Sequence, residues 1–190
     1  TFSVHEGKVV YALGALKNVG VEAMKLITEA RTPAGAEERL FVNLFDFARR
    51  VDLKRVGKRP MEMLARAGAF DQLDPNRHRV FRSLDALVNY SAAIHDQRNS
   101  NQVSLFGEAG DDLPEPRLSP VDDWLPNERL SEEHKAIGFY LSGHPLDDYM
   151  APLKRKGVLT LAELSAQAER APTIAKIAGS ISGRQERKSA

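Results

Sequence analysis

Apolar residues in this chain recur at helical spacing in short blocks punctuated by glycine and proline, and strand-like patterning shows only near the two ends. Ala23, Met24, Ile27 and Ala30 fall on one helical face, with Glu22, Lys25 and Glu29 turned outward, and Thr32-Pro33-Ala34-Gly35 ends the element. A short helix over Ala12 to Lys17 precedes it, and Val9-Val10-Tyr11 makes residues 1–11 an extended lead-in. A second unit has the same plan. Leu40, Leu44, Phe45 and Phe47 to Ala48 give an apolar face, and a turn follows. Pro60 then stands where a first helical turn tolerates a missing N–H, and Met61, Leu64 and Ala65 bury one side of a helix closed by Ala67-Gly68-Ala69. The two units are expected to pack around Phe41, Phe45, Phe47, Met63, Leu64 and Phe70. Asn76 is placed to cap a longer helix to about Gln97, whose stripe is Val80, Leu84, Leu87, Val88, Ser91 and Ile94.

From Asn99 to Leu125 the texture changes to Asn, Ser, Gly, Pro and acid, which reads as a linker, and Pro114, Pro116, Pro120 and Pro126 forbid a long helix there. Helical patterning resumes over Glu128 to Leu141, Asp147 to Lys154 and Leu161 to Gln167. From Ile174 to Ile181 apolar and polar positions alternate as in a β-strand, which needs partners to be stable.

The turns inside the first two units carry the same pentapeptide pattern, Leu-Lys-x-Val-Gly: Leu16-Lys17-Asn18-Val19-Gly20 and Leu53-Lys54-Arg55-Val56-Gly57. Glycine there allows a tight reversal, and the helix that follows begins with unsatisfied N–H groups and the positive end of its dipole, a ready anion site. One glycine between helices is only a turn; two copies with lysine at the same place point to phosphate.

Charge sharpens this. The net charge of +1 conceals a basic run, Arg49, Arg50, Lys54, Arg55, Lys58, Arg59 and Arg66 against Asp52 and Glu62. From Gly107 to Glu133 nine acids face Arg117 and Arg129, a run read as solvated surface. Without cysteine there are neither disulfides nor thiolate metal sites, and His5, His78, His95, His134 and His144 lack metal-ligand spacing. His144, between Gly143 and Pro145, suits a structural hydrogen bond. No membrane-length apolar run, signal pattern, nucleotide loop or nucleophile elbow is present. The pairs Asp111-Asp112, Asp122-Asp123 and Asp147-Asp148 are read as solvated acids rather than a two-metal centre. The chain therefore reads as a cytoplasmic protein without metal or cofactor and, from its abrupt ends, as a piece of a larger one.

Three blocks, Tyr11 to Gly20, Glu62 to Asp71 and Gly138 to Asp147, resemble the C-terminal part of the bacterial DNA polymerase III alpha-subunit family, and the resemblance covers nearly the whole chain. It implies a mainly α fold: a tandem helix-hairpin-helix bundle over 1–98, a linker over 99–126, a small helical connecting region over 127–171, and over 172–190 the first strand of a truncated OB domain. The family's first hairpin usually has glycine where this chain has Asn18, a residue that also tolerates left-handed backbone. The resemblance also implies that Gln102-Val103-Ser104-Leu105-Phe106 is an internal sliding-clamp motif. Gln102 and Ser104 offer polar contacts, and Leu105 and Phe106 are apolar side chains worth about 1.5 to 3 kcal/mol each when buried in a partner's groove. The polymerising carboxylates of the family lie upstream, so no catalytic residue is expected here.

The functional expectation is a non-catalytic segment that binds duplex backbone without reading bases, through Lys17, Asn18, Val19 and Gly20 and through Lys54, Arg55, Val56, Gly57, Lys58 and Arg59. Its expected partners are double-stranded DNA, the sliding clamp and other replicase subunits. A repair nuclease or glycosylase accessory domain, or a protein-interaction scaffold, are the other classes such a sequence admits. The first would need a catalytic cluster beside the hairpins, and the second would bind acidic protein through Lys54 to Arg59.

Overall fold

A computed structural model describes residues 2–99, 113–172, 174–181 and 183–186, and the chain divides into two compact units, Thr1–Leu141 and Ser142–Ala190. The division falls inside the stretch 127–171 read from sequence as one connecting region. The fold is mainly α, as the periodicity requires.

In the first unit, β1 (Ser3–His5) and β2 (Lys8–Val10) pair antiparallel, Val4 opposite Val9. Glu6 and Gly7 both have positive φ, the geometry of a tight two-residue hairpin, so residues 1–11 double back where an extended lead-in was expected. A 3-10 turn at Leu13–Ala15 leads to α1 (Val21–Arg31). Four helices build the centre: α2 (Leu44–Arg50), α3 (Leu53–Val56), α4 (Lys58–Ala67) and α5 (Arg77–Asn99). The expected aromatic cluster forms, with Phe47 edge-on to Phe41 at 5.1 Å and to Phe70 at 5.2 Å between ring centres. Phe47, Leu64 and Phe70 are buried, and Phe41, Phe45 and Met63 pack at the margin. The stripe of α5 is buried at Val80, Leu84, Leu87, Ser91 and Ile94. Asn76 caps the helix, its Oδ1 accepting the Arg79 N–H at 2.8 Å. Leu40, assigned from sequence to the α2 face, lies before that helix and is exposed.

The described end of the expected linker is a strap laid along α5. Leu113 and Leu118 pack against the core. The Ser119 N–H donates to Ser83 Oγ at 2.9 Å, Asn76 Nδ2 to the Val121 carbonyl at 2.8 Å, and the His78 N–H to Asp123 at 3.1 Å. Trp124 stacks on the His78 ring at 5.2 Å. The proline-rich composition excluded helix, and an extended segment with apolar residues at intervals docked instead. Helix α6 (Pro126–Ile137) then packs on α4, burying Ala136 and Ile137.

In the second unit a 3-10 turn at Asp147–Tyr149 runs into α7 (Met150–Arg155), and α8 (Leu161–Ala168) opens with a Thr160 and Glu163 capping box. The expected strand over 174–181 makes one bridge, Lys176 to Val158, and no ladder among the described residues, while Ile174, Ile177 and Ile181 stay exposed. Alternation supplies a strand's faces, but the pairing edge must come from elsewhere.

Candidate nucleic-acid interface

The turn at Gly57 is built from both sides. Where α2 ends, Asp52 accepts the N–H groups of Lys54 at 3.1 Å and Arg55 at 3.2 Å, which starts α3. Ser91 of α5 holds the junction from within: its Oγ donates to the Val51 carbonyl at 2.8 Å and accepts the Leu53 N–H at 3.1 Å. Leu53 and Val56 point into the core, Val56 at 5% exposure, so Lys54 and Arg55 face solvent. Gly57 has φ 91° and ψ 149°, a conformation open in practice to glycine alone, and serves as both C-cap of α3 and N-cap of α4. The N–H groups of Lys58 and Arg59 at the start of α4 have no acceptor within the helix, and Pro60 has no N–H to satisfy.

The structure separates the basic run into two groups. Arg49 donates to the Tyr90 hydroxyl at 2.8 Å and pairs with Glu115. Arg50 bonds Asp46 and the carbonyls of Ala30, Arg39 and Leu40. Arg66 pairs with Glu132 and lies over Phe81. These three tie elements together. Lys54, Arg55 and Arg59 are exposed and make no ion pair among the described residues. Lys58 pairs with Asp85 of α5 at 2.7 Å, and that hydrogen bond raises its pKa. Asp85 lies 27 positions along the chain from Lys58, and nothing in the sequence joined them.

The first copy of the pentapeptide has another geometry. Positive φ falls on Asn18 at 59°, while Gly20 is ordinary extended backbone at φ −81° and caps α1. Leu16 and Val19 are buried. The Lys17 N–H donates to the Ala136 carbonyl at 2.9 Å, and the Lys17 side chain lies beside Gly138 at the C-terminal end of α6, where the helix dipole favours a cation. The same letters thus make an exposed helix-to-helix corner at Gly57 and a docking turn at Asn18. Lys17, Asn18 and Gly20 are exposed. The proposed clamp residues, Gln102, Ser104, Leu105 and Phe106, lie outside the described residues.

A charged network fixes α4 behind the corner. Arg77, 8% exposed, donates to both Asp71 oxygens at 2.7 to 3.1 Å and to Glu133 Oε2 at 3.3 Å. Glu133 is 1% exposed, and its other oxygen accepts the Leu141 N–H at 2.8 Å. Arg129 bridges Asp71 and Asp123. Burial alone would raise the pKa of Asp123, but the N–H groups of His78 and Trp124 and the Arg129 guanidinium outweigh it, holding the carboxyl below its ordinary value. The acids at 115, 123, 132 and 133 therefore hold the strap and α6, where a solvated surface was expected, while Asp122 is exposed and only its backbone carbonyl takes a hydrogen bond, from His78. In the second unit Asp147 accepts the His144 N–H at 2.6 Å, and His144 Nδ1 accepts the Leu146 N–H at 3.1 Å, so this pair closes a turn. Among the described residues no group of three His, Asp or Glu side chains is placed to hold a metal ion, and no helix is long and apolar enough to cross a membrane.

Comparison with known proteins agrees with this architecture. The family described as helix-hairpin-helix motif matches residues 1–80. DNA polymerase III subunit alpha of Caulobacter vibrioides is 43% identical over 188 residues, covering 99% of this chain and 16% of that protein. The Vibrio cholerae subunit is 38% identical over 151 residues, 78% of this chain and 13% of its own length. The Rickettsia felis subunit is 31% identical over 190 residues, 100% of this chain and 15% of its own length. The chain thus spans about a sixth of the curated relatives it matches, and over that length it belongs to the DNA polymerase III alpha-subunit family.

Proposed function

We propose that this segment grips the backbone of duplex DNA for a replicative polymerase and tethers that polymerase to its sliding clamp in the cytoplasm. The observation that carries the reading is the Gly57 corner, where Lys54, Arg55, Lys58 and Arg59 stand exposed around the N-terminal end of α4. Amide donors and exposed cations at one corner suit phosphate oxygens. Lys17, Asn18, Val19 and Gly20 form the accessory contact, with the Lys17 amide already engaged by Ala136. Nucleotide addition belongs to parts of the larger protein upstream, and this segment contributes grip and tether.

Duplex titration across a salt series tests the grip. With roughly three to five phosphates neutralised, the slope of log affinity against log salt is expected on the order of −3 to −4.5. A flat slope would remove the reading. The tether rests on Gln102, Ser104, Leu105 and Phe106: Leu105→Ala with Phe106→Ala should abolish binding to a purified clamp and leave duplex affinity intact. Clamp binding retained by that variant would refute it.

A further inference from the structure

Of the four cations at the Gly57 corner, Lys58 alone has an ion pair among the described residues: its Nζ lies 2.7 Å from Asp85 Oδ1 on α5. Lys58 opens α4, so the paired cation belongs to the same residue that supplies the first of the free N–H groups there. Glu62, one turn further along α4, also attracts Lys58, more weakly. The pair is open to water, with the Lys58 side chain 55% and the Asp85 side chain 75% exposed. It joins α4 to α5, two helices that already pack on each other. An exposed pair of this kind adds little to stability, so support of the fold is a poor account of it.

Its place in the site matters more. A phosphate oxygen that meets Lys58 Nζ at an ordinary charged hydrogen-bond length of about 2.8 Å lies no more than about 5.5 Å from Asp85 Oδ1 while the pair is intact, well inside the screening length of about 10 Å at 0.1 M salt. The incoming phosphate therefore meets a carboxylate of its own sign, and like charges at that range repel. We infer that Asp85 is a built-in competitor for phosphate at the Gly57 corner: it holds Lys58 in the free protein and yields it to the nucleic-acid backbone when duplex arrives. The inference rests on the duplex-binding reading above and concerns the regulation of that same site. An internal anion that must be exchanged lowers affinity and favours release, which a segment advancing along a duplex needs. Such a carboxylate opposes every phosphate alike, so it weakens the grip without reading sequence.

The whole 190-residue chain is titrated with duplex across a salt series as wild type, Asp85→Asn, Asp85→Glu, Lys58→Ala, Lys58→Ala with Asp85→Asn, and Lys54→Ala with Arg55→Ala. Asp85→Asn should keep the wild-type thermal midpoint, bind duplex more tightly by up to about eightfold at 0.1 M salt, and steepen the salt slope by up to about 0.9, equivalent to one further phosphate neutralised. Asp85→Glu keeps the charge and should bind as wild type does. With Lys58 already replaced, Asp85→Asn should gain much less. If Asp85→Asn binds no more tightly than wild type, or gains equally with and without Lys58, the competitor role is overturned. Salt-dependent binding by wild type that falls in the Lys54 and Arg55 variant then leaves the corner standing. If neither wild type nor Asp85→Asn binds duplex, the duplex reading falls and this inference falls with it.

Discussion

Gly20 and Gly57 hold the same place in the repeated pentapeptide, and their backbones differ where it matters for substitution. Gly57→Ala forces a Cβ into φ 91° and ψ 149°, which should cost about 1 to 3 kcal/mol although the nearest atom, Pro60 Cδ, leaves room at 3.7 Å. Gly20→Ala, at φ −81° with nothing within 4 Å of the added carbon, should stay within about 1 kcal/mol. Urea unfolding of the two variants reads the difference, and equal losses would show that the pentapeptides are conformationally alike. Gly68 is more demanding than either. Its φ is 82°, and an added Cβ would overlap the Arg77 guanidinium that lies against it. Gly68→Ala must displace that side chain from Asp71 and Glu133, so it should destabilise the protein more than Gly57→Ala does.

At the level of elements, α3 is a single turn that owes its place to α5. Ser91 is fully buried and satisfies both the Val51 carbonyl and the Leu53 N–H at the α2 to α3 junction. Ser91→Ala leaves a buried donor and acceptor unpaired, with an expected loss of about 1 to 3 kcal/mol for such a group. Because the same junction presents Lys54 and Arg55, duplex affinity should fall at temperatures well below the melting midpoint of the variant. Hydrogen exchange at Leu53 to Val56 measures the loosening directly, and unchanged protection would mean that the core side chains alone hold α3. Sequence periodicity found α1, α4, α5 and α8 because each carries several turns of a repeating apolar face. It did not resolve α3, since four residues contain too little of any period and the capping Asp52 reads equally well as a loop acid.

For the whole first unit, the strap over 113–125 decides how acid affects the fold. Asp123 has its carboxyl held below the ordinary value near 3.8, so the stabilisation it provides is complete above that value and is lost as pH falls through the lower folded value. Trp124 is the chain's one tryptophan and stacks on His78, so its fluorescence reports the strap. The part of the emission change that comes from Asp123 should appear only when pH drops below the usual carboxylate range. Asp123→Asn should show the displaced emission at neutral pH, with the acid transition reduced. A variant with the wild-type profile would place the acid response on other groups, such as the Asp71 and Glu133 pairs to Arg77.

The sequence alone determined the helices with long apolar stripes, the aromatic cluster, the basic run and the resemblance to polymerase alpha subunits, because each depends on residues near one another in the chain or on the order of whole blocks. Tertiary structure alone decided which cations are available. Arg49, Arg50 and Arg66 look the same in sequence as Lys54, Arg55 and Arg59, but the first three meet acceptors brought in from outside their own helix, at 115, 30 to 40 and 132. It also decided that the two pentapeptides differ, since α6 offers its Ala136 carbonyl to the first and nothing equivalent to the second. Charge is a property of the residue, whereas the availability of that charge is set by whatever the fold places beside it.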